Sequence, residues 1–343
     1  MEIKIDLNAI GRNFDRLKAL HGGKGMAVVK ADAYGLGAET IASFLEEKVD
    51  YFGVATVEEG VALRKKGIKK PILVLGYVPD NKFSDLIFYN LETTVYDYET
   101  AKKIHSFSGQ REIGCHIALD TGMNRLGFRH EQSEELKKTL SLLSPTVRGF
   151  FTHYASAERI EAQSKTFGNL LSKCNSGNSE LLIHADNTDA VLNGYRTGNM
   201  FRTGIGLYGG NGSADALENV LEVTASVVQV KDIKRGESIG YSATYTASED
   251  GKYAVISCGY GDGYPVAFSN RSFVTINGKK AFVKGRVCMD YFMADVSDMA
   301  VRRGDRAVLF GNSINANTVN DTFGGFFYEF LCNLALRAER VYF

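Results

Sequence analysis

From Gly25 to about Tyr208 short apolar runs alternate with longer amphipathic stretches, the pattern of repeated strand and helix units around a parallel sheet. The apolar runs predict strands at Met26–Lys30, Tyr51–Ala55, Ile72–Leu75, Glu92–Val95, Ile113–Leu119, Val147–Thr152, Leu181–His184 and Met200–Thr203. Eight is the number that closes a βα barrel, although an open doubly wound sheet would read similarly over its first half. The segments between them carry helix signals. Gly37–Lys48 (GAETIASFLEEK) ends on a base, and Val57–Gly67 (VEEGVALRKKG) has acids early, bases late and a glycine at its stop.

Beyond Tyr208 the texture changes to valine-rich alternation in Leu221–Ile233 (LEVTASVVQVKDI) and to glycine-bounded strands such as KYAVISCGYGDGY and SFVTINGKKAFVKGRVCMDYFMADV. This predicts a second, mainly β domain, closing with short helical turns between Asn317 and Ala335. The opening strand Glu2–Asp6 is available to its sheet, because the barrel count is already full. The fold class expected is therefore α/β: an N-terminal (β/α)8 barrel of the TIM type over residues 9–215, followed by a mainly β domain over residues 216–343 that also takes the N-terminal strand, 1–8. A chain of 343 residues is long enough for two such cores.

Charge narrows the partners. Lys and Arg number 40 against 40 Asp and Glu, with no basic cluster to trace a phosphate backbone, so a small molecule is expected rather than nucleic acid. The start, MEIKIDLNAI, lacks a basic lead into an apolar signal segment, and no stretch approaches membrane-spanning length; a cytoplasmic protein with no membrane partner is expected. Cys115, Cys174, Cys258, Cys288 and Cys332 are widely spaced, with no CxxC pair, which predicts reduced thiols and neither a disulfide framework nor a metal site.

Candidate chemistry gathers at the C-terminal ends of the predicted strands, where barrels of this kind work. In VVKADAYGLG the first strand stops on Lys30, an amine whose pKa would fall on desolvation and which would suit a Schiff base. A strand-end lysine that snorkels into solvent is the other reading of those residues. Asp120 and Arg125 follow the fifth strand, His153 the sixth, His184 and Asn187 end or follow the seventh, and Arg202 lies in the eighth. HADNTDA and RTGIG add amide, hydroxyl and backbone N–H groups near strands seven and eight, a place where barrels hold phosphate. A lysine, an arginine and a phosphate cradle around one pocket point to pyridoxal 5'-phosphate. A Schiff-base aldolase acting on a sugar phosphate fits almost as well.

Seven ordered motifs carry a resemblance. VVKADAYGLG around Lys30, DTGMNRLGF around Arg125, FTHYASAE around His153, HADNTDA around Asn187, FRTGIGLYG around Arg202, GYGDGYP around Tyr260 and GRVCMDYF around Met289 together resemble the alanine racemases of the fold-type III pyridoxal phosphate enzymes, over nearly the whole chain. The resemblance implies that Lys30 carries the cofactor, that Tyr34, Asn187, Thr188, Gly204 and Ile205 hold its phosphate, and that Arg202 faces its pyridine nitrogen. A permanent cation there makes the cofactor a weaker electron sink. It further implies a homodimer with shared sites, in which Tyr260 of the partner subunit is the second acid-base group, hydrogen-bonded to His153, and in which Arg125 and the backbone N–H of the partner's Met289 bind the substrate carboxylate.

The expectation is thus a racemase interconverting L- and D-alanine by a two-base mechanism, supplying D-alanine for peptidoglycan. The rivals are a racemase of serine or another amino acid on the same fold, a fold-type III amino-acid decarboxylase, in which an acid would be expected where Arg202 stands, and a non-catalytic pyridoxal phosphate-binding protein. Two departures from the family pattern bear on this. Leu336 stands where a tyrosine usually crowds the substrate side chain. Ala118 stands where many members carry a carbamylated lysine that braces the arginine equivalent to Arg125, so an anion, a water or a carboxylate from elsewhere is expected to take over, with Asp120 and Asn124 near in sequence.

Overall fold

The chain opens with strand β1 (Glu2–Ile5) and a helix, Leu7–His21. The helix is not among the predicted elements, yet its signals are present. Asp6 Oδ1 accepts from the Ala9 N–H at 2.9 Å, and Ile10, Phe14, Leu17 and His21 recur at helical spacing on the buried face. The computed structural model describes residues 1–107, 112–174, 180–210, 216–311, 313–334 and 337–343. The chain divides into two compact units, one of Gly11–Ala33 with Ala38–Leu207, the other of Met1–Ile10, Tyr34–Gly37 and Tyr208–Phe343.

The first unit holds β2 (Lys24–Val28), β3 (Tyr51–Val54), β4 (Ile72–Val74), β5 (Glu92–Val95), β6 (Cys115–Ala118), β7 (Val147–Phe151), β8 (Leu182–His184) and β9 (Met200–Thr203). Neighbouring strands pair in parallel in the order β8-β7-β6-β5-β4-β3-β2-β9. The remaining seam, between β8 and β9, is bridged rather than laddered. Asn199 N–H donates to Ile183 O at 3.0 Å, Asn199 Oδ1 accepts from Ile183 N–H at 2.8 Å, and Arg202 N–H donates to Asp186 O at 2.9 Å. The result is a near-closed (β/α)8 barrel of the expected type. Met26, Val28, Tyr51, Leu73, Leu182 and Met200, from β2, β3, β4, β8 and β9, form one buried cluster.

The helices are shorter than the sequence predicts, Ala38–Leu45 and Val57–Lys65, because their last turns lie beyond the final buried side chain. The second is fixed at its start by a capping box. Thr56 Oγ1 accepts from Glu59 N–H, and the Glu59 carboxylate accepts from Thr56 N–H, both at 3.3 Å.

The second unit is mainly β, as expected. Its strands are β10 (Leu221–Ile233), the short pair β11 (Ser238–Ile239) and β12 (Tyr245–Thr246), β13 (Gly251–Ile256), β14 (Phe273–Ile276), β15 (Lys279–Lys284), β16 (Phe292–Asp295), β17 (Arg306–Phe310) and β18 (Glu339–Tyr342). The main sheet runs β13-β16-β15-β14-β17-β10-β1-β18, and β13 also pairs with β10. The long β10 serves three partners because its register shifts at Val223/Thr224 and again at Val227/Gln229. The opening strand joins this sheet, antiparallel to β10 and parallel to β18, with Ile3 and Ile5 buried.

Helix Phe327–Leu334 and a turn at Thr318–Thr322 supply the helical segments expected near the end of the chain. Their Phe323, Phe327 and Phe330 pack on Phe268 and Phe310 at ring separations of 4.9–5.8 Å. Residues Tyr34–Gly37 group with this unit because Tyr34 packs on Tyr208 and Tyr328, and Tyr342 Oη donates to Leu36 O at 2.9 Å. Gly37 must be glycine there. Its φ is +96°, and a Cβ would run into the Tyr342 hydroxyl. Among the described residues no helix is long and apolar enough to cross a membrane.

Candidate active site

Lys30 does not end a strand. It stands two residues past β2 as the first residue of a turn, Lys30–Gly35, that winds left-handed. Ala31, Asp32, Ala33 and Tyr34 have φ of 52°, 53°, 54° and 57°. Each such residue costs on the order of 1–2 kcal/mol against the right-handed form, so the turn needs outside support. Glu59 Oε1 accepts from Ala31 N–H at 2.8 Å while its Oε2 accepts from Ala55 N–H at 2.6 Å. Asp32 Oδ1 accepts from Ala38 N–H at 2.8 Å, and Ala33 N–H donates to Val29 O at 2.9 Å. A residue held this way has a fixed backbone from which to aim its amine.

Arg202, in β9, is buried and anchored on the ends of two neighbouring strands. Its Nη2 donates to Thr152 O at 2.7 Å and its Nη1 to His184 O and, at 2.9 Å, to His184 Nδ1. Burial pushes its pKa down to about 10, with Asp186 opposing, so it remains a cation at neutral pH. His153, just after β7, lies with Nδ1 3.5 Å from Arg202 Nη2. Burial, then the charges of Arg202, Arg125 and Lys30, push its pKa down to about 3. The charges of three cations, on β9, on the loop after β6 and on the turn after β2, therefore act on one neutral imidazole.

The loop after β6 is self-contained. Asp120 Oδ1 accepts from the N–H groups of Gly122 and Asn124, both at 3.0 Å, and Gly127, at φ +127°, lets the chain pass where a Cβ would sit 2.7 Å from Asp120 N. Asp120 is thus spent on its own loop rather than on Arg125, which is exposed. Ala118 is buried in β6.

After β8, Asn187 caps the short helix Thr188–Leu192, its Oδ1 accepting from Ala190 N–H at 3.0 Å. The buried Thr188 hydroxyl meets that of Thr203 at 3.0 Å. The turn Ile205–Tyr208 starts beside Gly204, and a Cβ at Gly206 would run into the Thr188 side chain.

Tyr34, Tyr260 and Met289 belong to the second unit. Burial, with Tyr328 and Cys332 nearby, pushes the Tyr34 phenol pKa up. The segments of Tyr260 and Met289 are tied to each other: Tyr260 N–H donates to Cys288 O at 3.0 Å and Gly261 N–H to Met289 O at 2.9 Å. Arg337 reaches across them to Asp290 Oδ1 at 2.7 Å and Asp262 Oδ1 at 3.9 Å. Tyr260 and Met289 are exposed, 46% and 49%. Leu336 lies outside the described residues.

Two buried groupings extend beyond the predicted candidate residues, of which they contain only His184. His184 Nε2 lies 2.8 Å from His116 Nδ1, His116 Nε2 lies 3.0 Å from Glu92 Oε2, and Tyr51 Oη donates to Glu92 Oε1 at 3.3 Å. Asp186 Oδ2 accepts from Thr197 N–H at 2.7 Å and meets His21 Nε2 at 3.1 Å. The available signal was a polar residue inside an otherwise strand-like run, His116 in CHIA and Glu92 in ETTV.

Comparison with known proteins agrees along the whole chain. Residues 5–212 match the family "alanine racemase, N-terminal domain" and residues 220–342 "alanine racemase, C-terminal domain". The chain is 35% identical to alanine racemase 1 of Caldanaerobacter subterraneus subsp. tengcongensis, over 99% of this chain and 94% of that protein. Among solved structures it resembles an alanine racemase of Clostridium difficile in complex with cycloserine (TM-score 0.87, 32% identity, 99% of this chain and 95% of that one). It also resembles the alanine racemase of Bartonella henselae with covalently bound pyridoxal phosphate (TM-score 0.92, 26% identity, 100% and 99%).

Proposed function

The chain belongs to the alanine racemase family, and from that membership we propose that it interconverts L- and D-alanine by two-base proton transfer, with Lys30 as one base and Tyr260 of the partner subunit as the other. The family depends on pyridoxal phosphate. When bound, the cofactor supplies an electron sink that acidifies the substrate Cα–H.

The residues present fit such a group. Arg202 lies against His153, which also feels the charges of Arg125 and Lys30, and the Thr188 and Thr203 hydroxyls lie beside a glycine-bounded turn, a donor set suited to a phosphate and a carboxylate. That donor set is the observation that carries the reading. Lys30 would hold the aldehyde carbon, Tyr34, Asn187, Thr188, Gly204 and Ile205 the phosphate, and Arg202 would face the ring nitrogen. Arg125 and the backbone N–H of the partner's Met289 would orient the substrate carboxylate.

Racemisation needs an acid-base group on each face of the substrate Cα, because a single base tends to return the proton to the face it left. Lys30 Nζ serves one face. On the other, a tyrosine with an ordinary pKa near ~10 is a poor base at neutral pH unless its phenolate is stabilised. His153 supplies that stabilisation. Arg202 is a donor only, so the Nδ1 facing it accepts, and the proton of the neutral ring sits on Nε2, available to donate to a phenolate.

A homodimer follows from this assignment. The reading also implies a cytoplasmic enzyme that feeds D-alanine to peptidoglycan. Chiral product analysis with a panel of L-amino acids tests the whole: D-alanine should form fastest, with serine about tenfold slower or more, since small-pocket discrimination is worth about 1–3 kcal/mol. Faster turnover of another amino acid would overturn the substrate assignment, and an amine product would overturn the reaction class.

A further inference from the structure

We propose that Glu92 and His116 are positioning residues for the reaction: with His184 they form a one-way hydrogen-bonded row that holds Arg202 on its partners from the far end of the barrel. This rests on the reading that Arg202 faces the cofactor ring. The direction of the row follows from its two ends. A guanidinium has five N–H donors and no acceptor, and a carboxylate has acceptors and no donor.

Arg202 Nη1 therefore donates to His184 Nδ1 at 2.9 Å, which leaves the His184 proton on Nε2. That proton is donated to His116 Nδ1 at 2.8 Å, so the His116 proton also sits on Nε2 and is donated to Glu92 Oε2 at 3.0 Å. Every member thus has one allowed tautomer, set by the group beyond it.

Packing fixes the rings in the orientation this needs. The His184 ring stacks on Phe151 at 5.0 Å and 9°, with the Arg202 guanidinium 5.4 Å from the same ring. The two imidazoles meet edge to face, 69° apart. His116 and His184 are fully buried, and Glu92 keeps only 18% of its side chain exposed. Its second oxygen is occupied by Tyr51 Oη.

Without an acceptor at position 92 the His116 Nε2–H is left buried and unpaired, Arg202 alone opposes reversal, and a reversed row becomes accessible. His116 would carry its proton on Nδ1, His184 would follow, and an N–H of His184 would then point at an N–H of Arg202. Arg202 would lose a partner and turn away. A buried donor facing another donor forfeits a hydrogen bond outright.

The test is long-range proton–nitrogen NMR on holoenzyme labelled with 15N-histidine, which has six histidines to assign, read beside kcat and KM. In the wild type His116 and His184 should both be Nε2–H tautomers. Glu92→Gln, whose amide oxygen still accepts, should keep both tautomers and lose no more than about threefold in kcat. Glu92→Leu should populate the Nδ1–H form, shift the visible cofactor band and lower kcat about tenfold or more, with KM within about twofold.

An Nδ1–H tautomer on either ring in the wild type would overturn the proposal, and so would a fall in kcat for Glu92→Leu with both tautomers intact, or changed tautomers with kcat unaltered. Should Glu92→Leu fail to fold, the wild type and Glu92→Gln decide. Tautomers as stated in a protein that does not racemise alanine would leave the row standing and remove the functional reading instead.

Discussion

At the scale of single residues, the proposed site turns on an imidazole kept neutral among cations. His153 has its pKa pushed down to about 3 by burial and by Arg202, Arg125 and Lys30, against about 6.5 when unfolded. Between those values the unfolded chain binds the proton and the folded one does not, so the stability associated with this group is fully present above pH ~6.5 and lost as pH falls towards 3. His153→Asn should therefore flatten the acid limb of the stability profile in that window, by at most about 1.4 kcal/mol per pH unit. Urea melts from pH 7 to 4 check it, and parallel profiles for wild type and variant would contradict the assignment. Lys30, His153 and Arg202 were legible because each lies within two residues of the C-terminal end of an apolar strand, and Arg125 because it lies in the loop that follows one. His116 and Glu92 were not, because they sit within short strands, where sequence alone does not tell an inward polar side chain from an outward one.

At the scale of elements, the left-handed turn after β2 is the costliest local feature, with four consecutive non-glycine residues at positive φ. Glu59 ties it to the helix Val57–Lys65, since one carboxylate caps that helix and also accepts from Ala31 N–H. Glu59→Ala removes both functions at once. It should cost about 1–3 kcal/mol of stability and weaken cofactor retention, whereas Thr56→Ala, which removes only the cap hydroxyl, should cost about 1 kcal/mol and leave retention alone. Thermal melts and cofactor absorbance after dialysis separate the two; equal loss of cofactor in both variants would mean that the turn does not depend on Glu59. Barrel strand positions were readable to within two residues because apolar runs of this length are bounded by glycine and charge, whereas KYAVISCGYGDGY reads as a strand as far as Tyr264 and β13 ends at Ile256. The turn was not, because AlaAspAlaTyr carries no glycine to announce positive φ. The helix Leu7–His21 is marked in the sequence by Asp6 and by the Ile10, Phe14, Leu17 spacing, signals weaker than the strand pattern that follows.

At the scale of the whole molecule, the chain is a barrel unit that bears the lysine and its cations, and a β unit that bears Tyr260 and Met289. The count of apolar runs reveals the barrel, and the alternation after Tyr208 the β unit, including the recruitment of β1, whose Ile3 and Ile5 need a sheet to bury them. What a linear pattern does not reveal is long-range registration, such as β10 serving three partners through two register shifts. The central claim is that two bases act from opposite faces, and the most direct measurement is solvent deuterium incorporation into each enantiomer of alanine by Tyr260→Phe. With Lys30 intact, the variant should still exchange the Cα–H of D-alanine, while exchange from L-alanine falls by about 100-fold or more. Equal loss from both enantiomers, or racemisation at the wild-type rate, would contradict the account.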